Sequence, residues 1–143
     1  MTPMPPMPPI RPAVGPGLLE RAHPHVHDPR KDVFTAHRPW GAFQQLVHNE
    51  QVTVKIITVQ PGHRLSLQRH QNRGEMWVIL DHAMHIEIDD REWDAVPGEQ
   101  VWVPDGSTHR LSNRLDGPCR ILEVAYGDFD EADIERFEDD YAR

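Results

Sequence analysis

The amino-acid sequence predicts an all-β domain of the sandwich, jelly-roll or barrel kind, and three observations carry that prediction. From Arg38-Pro39-Trp40-Gly41 onward, β-branched, aromatic and aliphatic residues recur in short runs. Nine such runs follow one another, with turn residues between them, before the texture changes near the C-terminus. At 143 residues and 16.5 kDa, the chain is long enough for one domain with a real core and too short for two comfortable ones.

Residues 1 to about 17 hold half of the 14 prolines and no apolar period, so an irregular tail is expected there. His23-Pro24-His25-Val26-His27-Asp28-Pro29 alternates histidine as a metal-binding strand would, but two prolines and the lack of an apolar flank make it a surface segment. We therefore divide the chain into an irregular segment, 1–37, and a domain, 38–143. Strands are expected at 42–48 and 51–59 around Asn49-Glu50, after which Pro61-Gly62 breaks the sheet. Seven more follow, at 64–70, 75–80, 84–88, 92–96, 100–103, 109–112 and 120–126. Asp128 or Asp130 then caps a short C-terminal helix through 132–137, whose buried face carries Ile134 and Phe137. No internal repeat marks a solenoid.

With 23 acidic residues against 15 Lys and Arg, the net charge of -8 argues against nucleic acid or an anionic membrane as partner. The single cysteine, Cys119, excludes an internal disulfide and an all-cysteine metal site. No apolar run approaches the roughly 20 residues that span a bilayer. The N-terminus also lacks the charged start and apolar core of a signal peptide. A soluble, cytoplasmic protein is the expectation.

Two stretches carry chemistry. In Gln68-Arg69-His70-Gln71-Asn72-Arg73-Gly74-Glu75, Gln68 and His70 are two apart, so on a strand they leave the same face. Glu75 follows a polar break and can return on a neighbouring strand into the same space. In Gly98 to Asn113, Gly98 and Pro104-Asp105-Gly106 shape tight turns. His109 then opens a strand with apolar Leu111 two residues on, which turns it inward. Either histidine alone is more often a core residue than a ligand. Gln68, His70, Glu75 and His109 together suit one divalent ion, whether zinc, manganese, iron, cobalt or nickel.

The second stretch fits the cupin motif G-x5-P-x-G-x2-H-x3-N at every fixed position from Gly98 to Asn113. The first fits G-x5-H-x-H-x4-E-x6-G from Gly62, with Gln68 for the first histidine and His82 for the last glycine. Arg38-Pro39-Trp40-Gly41, Arg64 to Gln68, Arg73, Glu75, Trp77, His109-Arg110-Leu111 and the tail Arg136 to Tyr141 resemble the type II mannose-6-phosphate isomerase domain. The resemblance covers roughly the last three quarters of the chain, and in that family the metal-site glutamine stands at the position of Gln68. Three positions depart from the family's usual pattern: Met76 where histidine is common, Gln60 where lysine is common, and Asp81-His82 at the turn after the next strand.

The resemblance implies a cupin double-stranded β-helix and isomerisation of mannose 6-phosphate to fructose 6-phosphate at a metal held by Gln68, His70, Glu75 and His109. Arg73, Glu123 and Lys55 become catalytic candidates, with Glu123, His63 and a metal-bound hydroxide as alternatives for the base. Arg110, Arg64 and Trp77 become candidates for binding the sugar phosphate, although Trp77 and Trp102 are also natural core residues of a jelly roll. Such a domain usually follows a guanylyltransferase. The region before Arg38 is too short to hold one and has no Gly-rich phosphate loop, so a stand-alone domain is expected, and the resemblance to single-domain cupins implies a homodimer. The alternatives are a non-catalytic metal-cupin that binds a small carbohydrate and a small metal-dependent oxygenase.

Overall fold

Two antiparallel sheets, packed face to face, account for most of the chain in the computed structural model, which describes residues 27–141. The proline-rich tail, His23 and His25 lie outside the described residues. A 3-10 turn, Pro29–Asp32, opens the described part, with the Asp28 carboxylate accepting from the Arg30 amide. Strands β1 (Phe34–Arg38) and β2 (Gly41–Gln45) form a hairpin that is its own two-stranded sheet. Ordered structure thus reaches back past residue 38.

The first large sheet runs β3 (Val52–Val59), β10 (Cys119–Gly127), β5 (Arg73–Ile79), β8 (Gln100–Val103). The second runs β11 (Glu135–Glu138), β4 (Leu67–Arg69), β9 (His109–Ser112), β6 (Met84–Ile88), β7 (Arg91–Ala95). Period-two alternation supplies the core between them. Trp77, Ile79, Val101, Val103 and Ile121 from one sheet meet Met84, Ile86, Ile88 and Leu111 from the other. Each such buried side chain contributes about 1.5–3 kcal/mol of apolar transfer free energy.

Strand β5 is buried along its whole length: Met76, Trp77 and Ile79 of its apolar run pack into two clusters, while Arg73 and Glu75 are buried at its opening end. Its outward residue Met76 packs with Trp102, Val124 and Tyr126, and Val33 before β1 together with Leu46 and Val47 after β2 cover that second cluster. No helix among the described residues is long and apolar enough to cross a membrane.

The fold is the expected jelly roll, with one correction. The C-terminal helix expected through 132–137 is absent; turns lead instead into β11, which pairs with β4. Tertiary partners outcompete a helix too short to stand alone. Asp133 spends its carboxylate on the amides of Gln71 (3.0 Å) and Asn72 (2.9 Å) rather than on a helix start, and Arg69 pairs with Glu135 at 2.9 Å.

Candidate metal centre

The site forms where the open end of β4 meets β5 and β9. β4 and β9 pair with Gln68 directly opposite His109, and the chain then turns through residues 70–72 to bring Glu75 back on β5. Gly74 makes that return possible: a Cβ there would lie 2.4 Å from Cη2 of Trp102. His70, Glu75 and His109, each no more than 3% exposed, bring one ligand atom apiece within 4.8 Å of one another.

The second nitrogen of each imidazole fixes what the first can do. Nδ1 of His70 donates to the Asp133 carbonyl at 2.7 Å, and Nδ1 of His109 donates to the Ser107 carbonyl at 3.0 Å, because a carbonyl can only accept. Both Nε2 atoms therefore face the site. Backbone acceptors of this kind are what hold ligating histidines in register. His109 Nε2 lies 3.3 Å from Oε1 of Glu75, yet both atoms are buried without a hydrogen-bond partner. Two electron-rich atoms so placed are satisfied by a positive charge between them. Two imidazoles and a carboxylate are the donors a divalent transition ion takes. Gln68 lines the same cavity, its Oε1 accepting from the Ser66 hydroxyl at 3.3 Å, and can supply an amide oxygen.

Electrostatics separate two neighbouring carboxyls. Burial alone would raise the pKa of Glu75, but His109, a hydrogen bond from Glu123 and the charge of His70 outweigh it and hold the group down at about 2. Glu123, also buried, is pushed up to about 8, first by burial and then by the charge of Glu75. Of the two carboxyls, Glu123 is therefore the one whose protonated form the surroundings favour. Burial lowers His70 below its ordinary value, against the pull of Glu75.

The cavity encloses about 270 Å³, and it collects most of the residues expected from sequence: Gln68, His70, Arg73, Glu75, His109 and Glu123, with Lys55, Trp77 and Arg110. Trp77 forms a wall, edge-on to His109 at 5.6 Å, and belongs equally to the core. Arg73 donates to the Asp130 carbonyl (3.1 Å) and to His70 Nε2 (3.3 Å), and its guanidinium lies over Phe129. Lys55 lies over the same ring and pairs with Glu131 at 2.9 Å.

Two expected residues stand elsewhere. Arg64 is outside this cavity, pairing with Asp140 at 2.7 Å beside a neighbouring groove, and His63 stacks on Tyr141. Arg110 borders the cavity, but its guanidinium is spent on the Leu65 carbonyl (3.0 Å) and the Glu138 carboxylate (3.0 Å). Met76 and Gln60 do not line the cavity: Met76 is in the second cluster, and Gln60 is exposed. Reading 132–137 as a helix hid Glu131, Ile134 and Arg136, which line the cavity, and Asp133, which orients His70. The tail motif from Arg136 was the signal that could have found them.

Comparison with known proteins bears on the family and the fold. The family model described as mannose-6-phosphate isomerase C-terminal matches residues 25–139. The alginate biosynthesis protein AlgA of Pseudomonas aeruginosa is 39% identical over 108 residues, 75% of this chain and 22% of that protein. The mannose-1-phosphate guanylyltransferase ManC of Salmonella typhimurium is 36% identical over 120 residues, 83% of this chain and 24% of that protein. The chain therefore spans under a quarter of the length of these relatives. Among solved structures, a double-stranded β-helix protein from Klebsiella pneumoniae superposes with a TM-score of 0.55 at 14% identity, covering 65% of this chain and 80% of that one. A cupin-superfamily sugar phosphate isomerase from Silicibacter pomeroyi gives 0.50 at 24% identity, covering 62% and 68%. At these identities the structural likeness speaks for the fold, a cupin double-stranded β-helix, while the match over residues 25–139 makes the chain a member of the mannose-6-phosphate isomerase C-terminal family.

Proposed function

We propose that the chain is a metal-dependent sugar-phosphate isomerase that interconverts mannose 6-phosphate and fructose 6-phosphate in the cytoplasm. The observation that supports it best is the meeting of three buried donor groups and a second buried carboxyl, Glu123, in one cavity. Gln68, His70, Glu75 and His109 would hold one divalent ion. When bound there, it supplies Lewis acidity toward the oxygens on C1 and C2 of the substrate.

Aldose-ketose isomerisation removes a proton from C2 and returns it to C1, while a proton passes between the two oxygens. Glu123 is our candidate for that transfer. It faces Lys55 across β3 and Trp77 across β5, so its carboxyl is fixed at the cavity wall. With a cation held at Glu75, Glu123 would feel less of the neighbouring negative charge that favours its protonated form and would ionise more readily as the base. Arg73 and Lys55, close to Glu75 and Glu123, favour the same ionisation and stabilise negative charge on the substrate. Trp77 narrows the cavity against water.

Met76 and Gln60 point to no loss of chemistry, since neither lines the cavity. A coupled assay for fructose 6-phosphate, run with zinc, manganese, cobalt, nickel and ferrous iron, tests the proposal; no turnover with any of them sinks it. We also propose a homodimer. Val54 and Ile56 on β3 are more than half exposed beside a shallow groove that includes Phe43, Leu46 and Val124, which supports an interface there. Light scattering at the 16.5 kDa of one chain would overturn it.

A further inference from the structure

Four cationic side chains line the cavity, and three of them already answer to acids or carbonyls. Lys55 is paired with Glu131, Arg73 with Glu75 and the Asp130 carbonyl, and Arg110 with Glu138 and the Leu65 carbonyl. Arg136 differs: among the described residues it has no ion pair and no side-chain hydrogen bond. In a chain with 23 acids and 15 Lys and Arg, an exposed arginine at a cavity mouth that no acid has neutralised is available to an anion from solution.

Strand register shows which way it serves the site. Arg136 on β11 stands opposite Gln68 on β4, and Gln68 stands opposite His109 on β9. Directly opposed residues share a face, so Arg136, Gln68 and His109 form one row running from the cavity mouth to the metal donors. Two strand spacings separate the ends of that row, about 10 Å, a span that a six-carbon sugar with a terminal phosphate bridges. The register also slips immediately after Arg136, between it and Glu138. Such bulges re-aim a strand's side chains and recur beside binding sites.

We propose that Arg136 binds the terminal phosphate of the sugar and thereby selects phosphorylated over free hexoses. The assignment rests on the sugar-phosphate reading of the cavity. The planar guanidinium suits two parallel hydrogen bonds to a phosphoryl group.

Calorimetry of the full cobalt-loaded chain with mannose 6-phosphate and with mannose, and of the chelator-treated chain with inorganic phosphate, tests it. Wild type, R136Q and R136E are compared, with cobalt content and melting temperature measured on each. R136Q should weaken binding of mannose 6-phosphate and of phosphate about 10- to 100-fold, the range of a charge-assisted hydrogen-bonded contact. R136E should weaken both further. Affinity for mannose, cobalt content and melting temperature should stay as in wild type. The proposal is overturned if either variant binds mannose 6-phosphate as tightly as wild type, or if wild type binds neither anion. It is equally overturned if mannose binding falls in step. Arg136-dependent binding in a wild type that forms no fructose 6-phosphate would sink the isomerase reading and leave the phosphate site standing.

Discussion

Adding a divalent ion to the chelator-treated chain should raise its melting temperature sharply, and replacing His109 by glutamine should abolish the rise. His70 lies in the turn after β4, Glu75 on β5 and His109 on β9, and they approach within 4.8 Å only when the sheets are folded, so an ion binds the native state and finds no such site in the unfolded chain. Linkage then stabilises the fold by about 2.7 kcal/mol at a free-ion concentration a hundred times Kd. Unfolding entropy near 60 °C is about 2.1 cal/mol/K per residue, or about 0.24 kcal/mol/K for a domain of roughly 115 residues. The expected shift is about 11 °C.

The chain holds 10 histidines, so weak surface binding has to be separated from the site. H109Q keeps all the others. It loses the Nε2 atom that lies 3.3 Å from Glu75, together with the Ser107 hydrogen bond and the edge contact with Trp77. Its own melting temperature will therefore fall, and the informative quantity is the metal-induced shift, expected to be under about 2 °C. Scanning fluorimetry with metal analysis on desalted protein reads both. A full shift in H109Q would mean that surface histidines cause it. No shift in wild type carrying one ion per chain would mean that the ion sits where folding does not matter. Either result refutes the centre described above.

Three further outcomes follow from the same geometry. Because burial holds the pKa of His70 below 6.5, the unfolded chain takes up a proton on lowering the pH before the folded one does; metal-free stability should fall as pH drops through 6.5 and level off below the folded value. Urea unfolding in chelator should show this slope in wild type and a shallower one in H70Q; equal slopes would remove His70 as its cause. G74A should cost about 1–3 kcal/mol, since its Cβ would meet Trp102 at 2.4 Å and the Val103 carbonyl at 3.2 Å. W102F should restore part of that loss, and a G74A melting temperature equal to wild type would show that the Trp102 ring yields freely. Cys119 is fully buried, its thiol raised by burial and donating to the His82 carbonyl, so native protein should resist thiol reagents until it unfolds. Rapid labelling without unfolding would contradict that packing.

The parts of the site legible in sequence are those whose geometry is local. Gln68 and His70 share a face by period two, and His109 enters a strand whose bounds, 109–112, the apolar pattern gives correctly. Strands 84–88 and 100–103 are likewise where they were expected. Family resemblance added Arg73, and the reaction's need for a base and for cations added Glu123 and Lys55; the cavity does bring the three together. Arg64 and Arg110 show the limit of that route. Each lies beside a motif residue, but their partners, Asp140 and Glu138, come from the C-terminal tail, and nothing local says that the tail returns to neutralise them.

The same tail explains the helix that did not form. Acidic residues at 128, 130 and 131 and the Ile134/Phe137 spacing satisfy local helix rules. In the fold, however, Asp133 reaches back over sixty residues to the 70–72 turn, its carboxylate holding two amides and its carbonyl fixing the His70 tautomer. A helix would withdraw all three contacts. What decides the local structure of this segment is therefore the ligand geometry of another one. The cavity floor is built by strands that a sequence pattern reveals, whereas its mouth is built by a segment whose conformation follows from docking on that floor. Orientation of His70 and exposure of Arg136 are consequences of one event, the pairing of β11 with β4. Disrupting that pairing, by a change that leaves every metal donor in place, should impair metal retention and phosphate binding together.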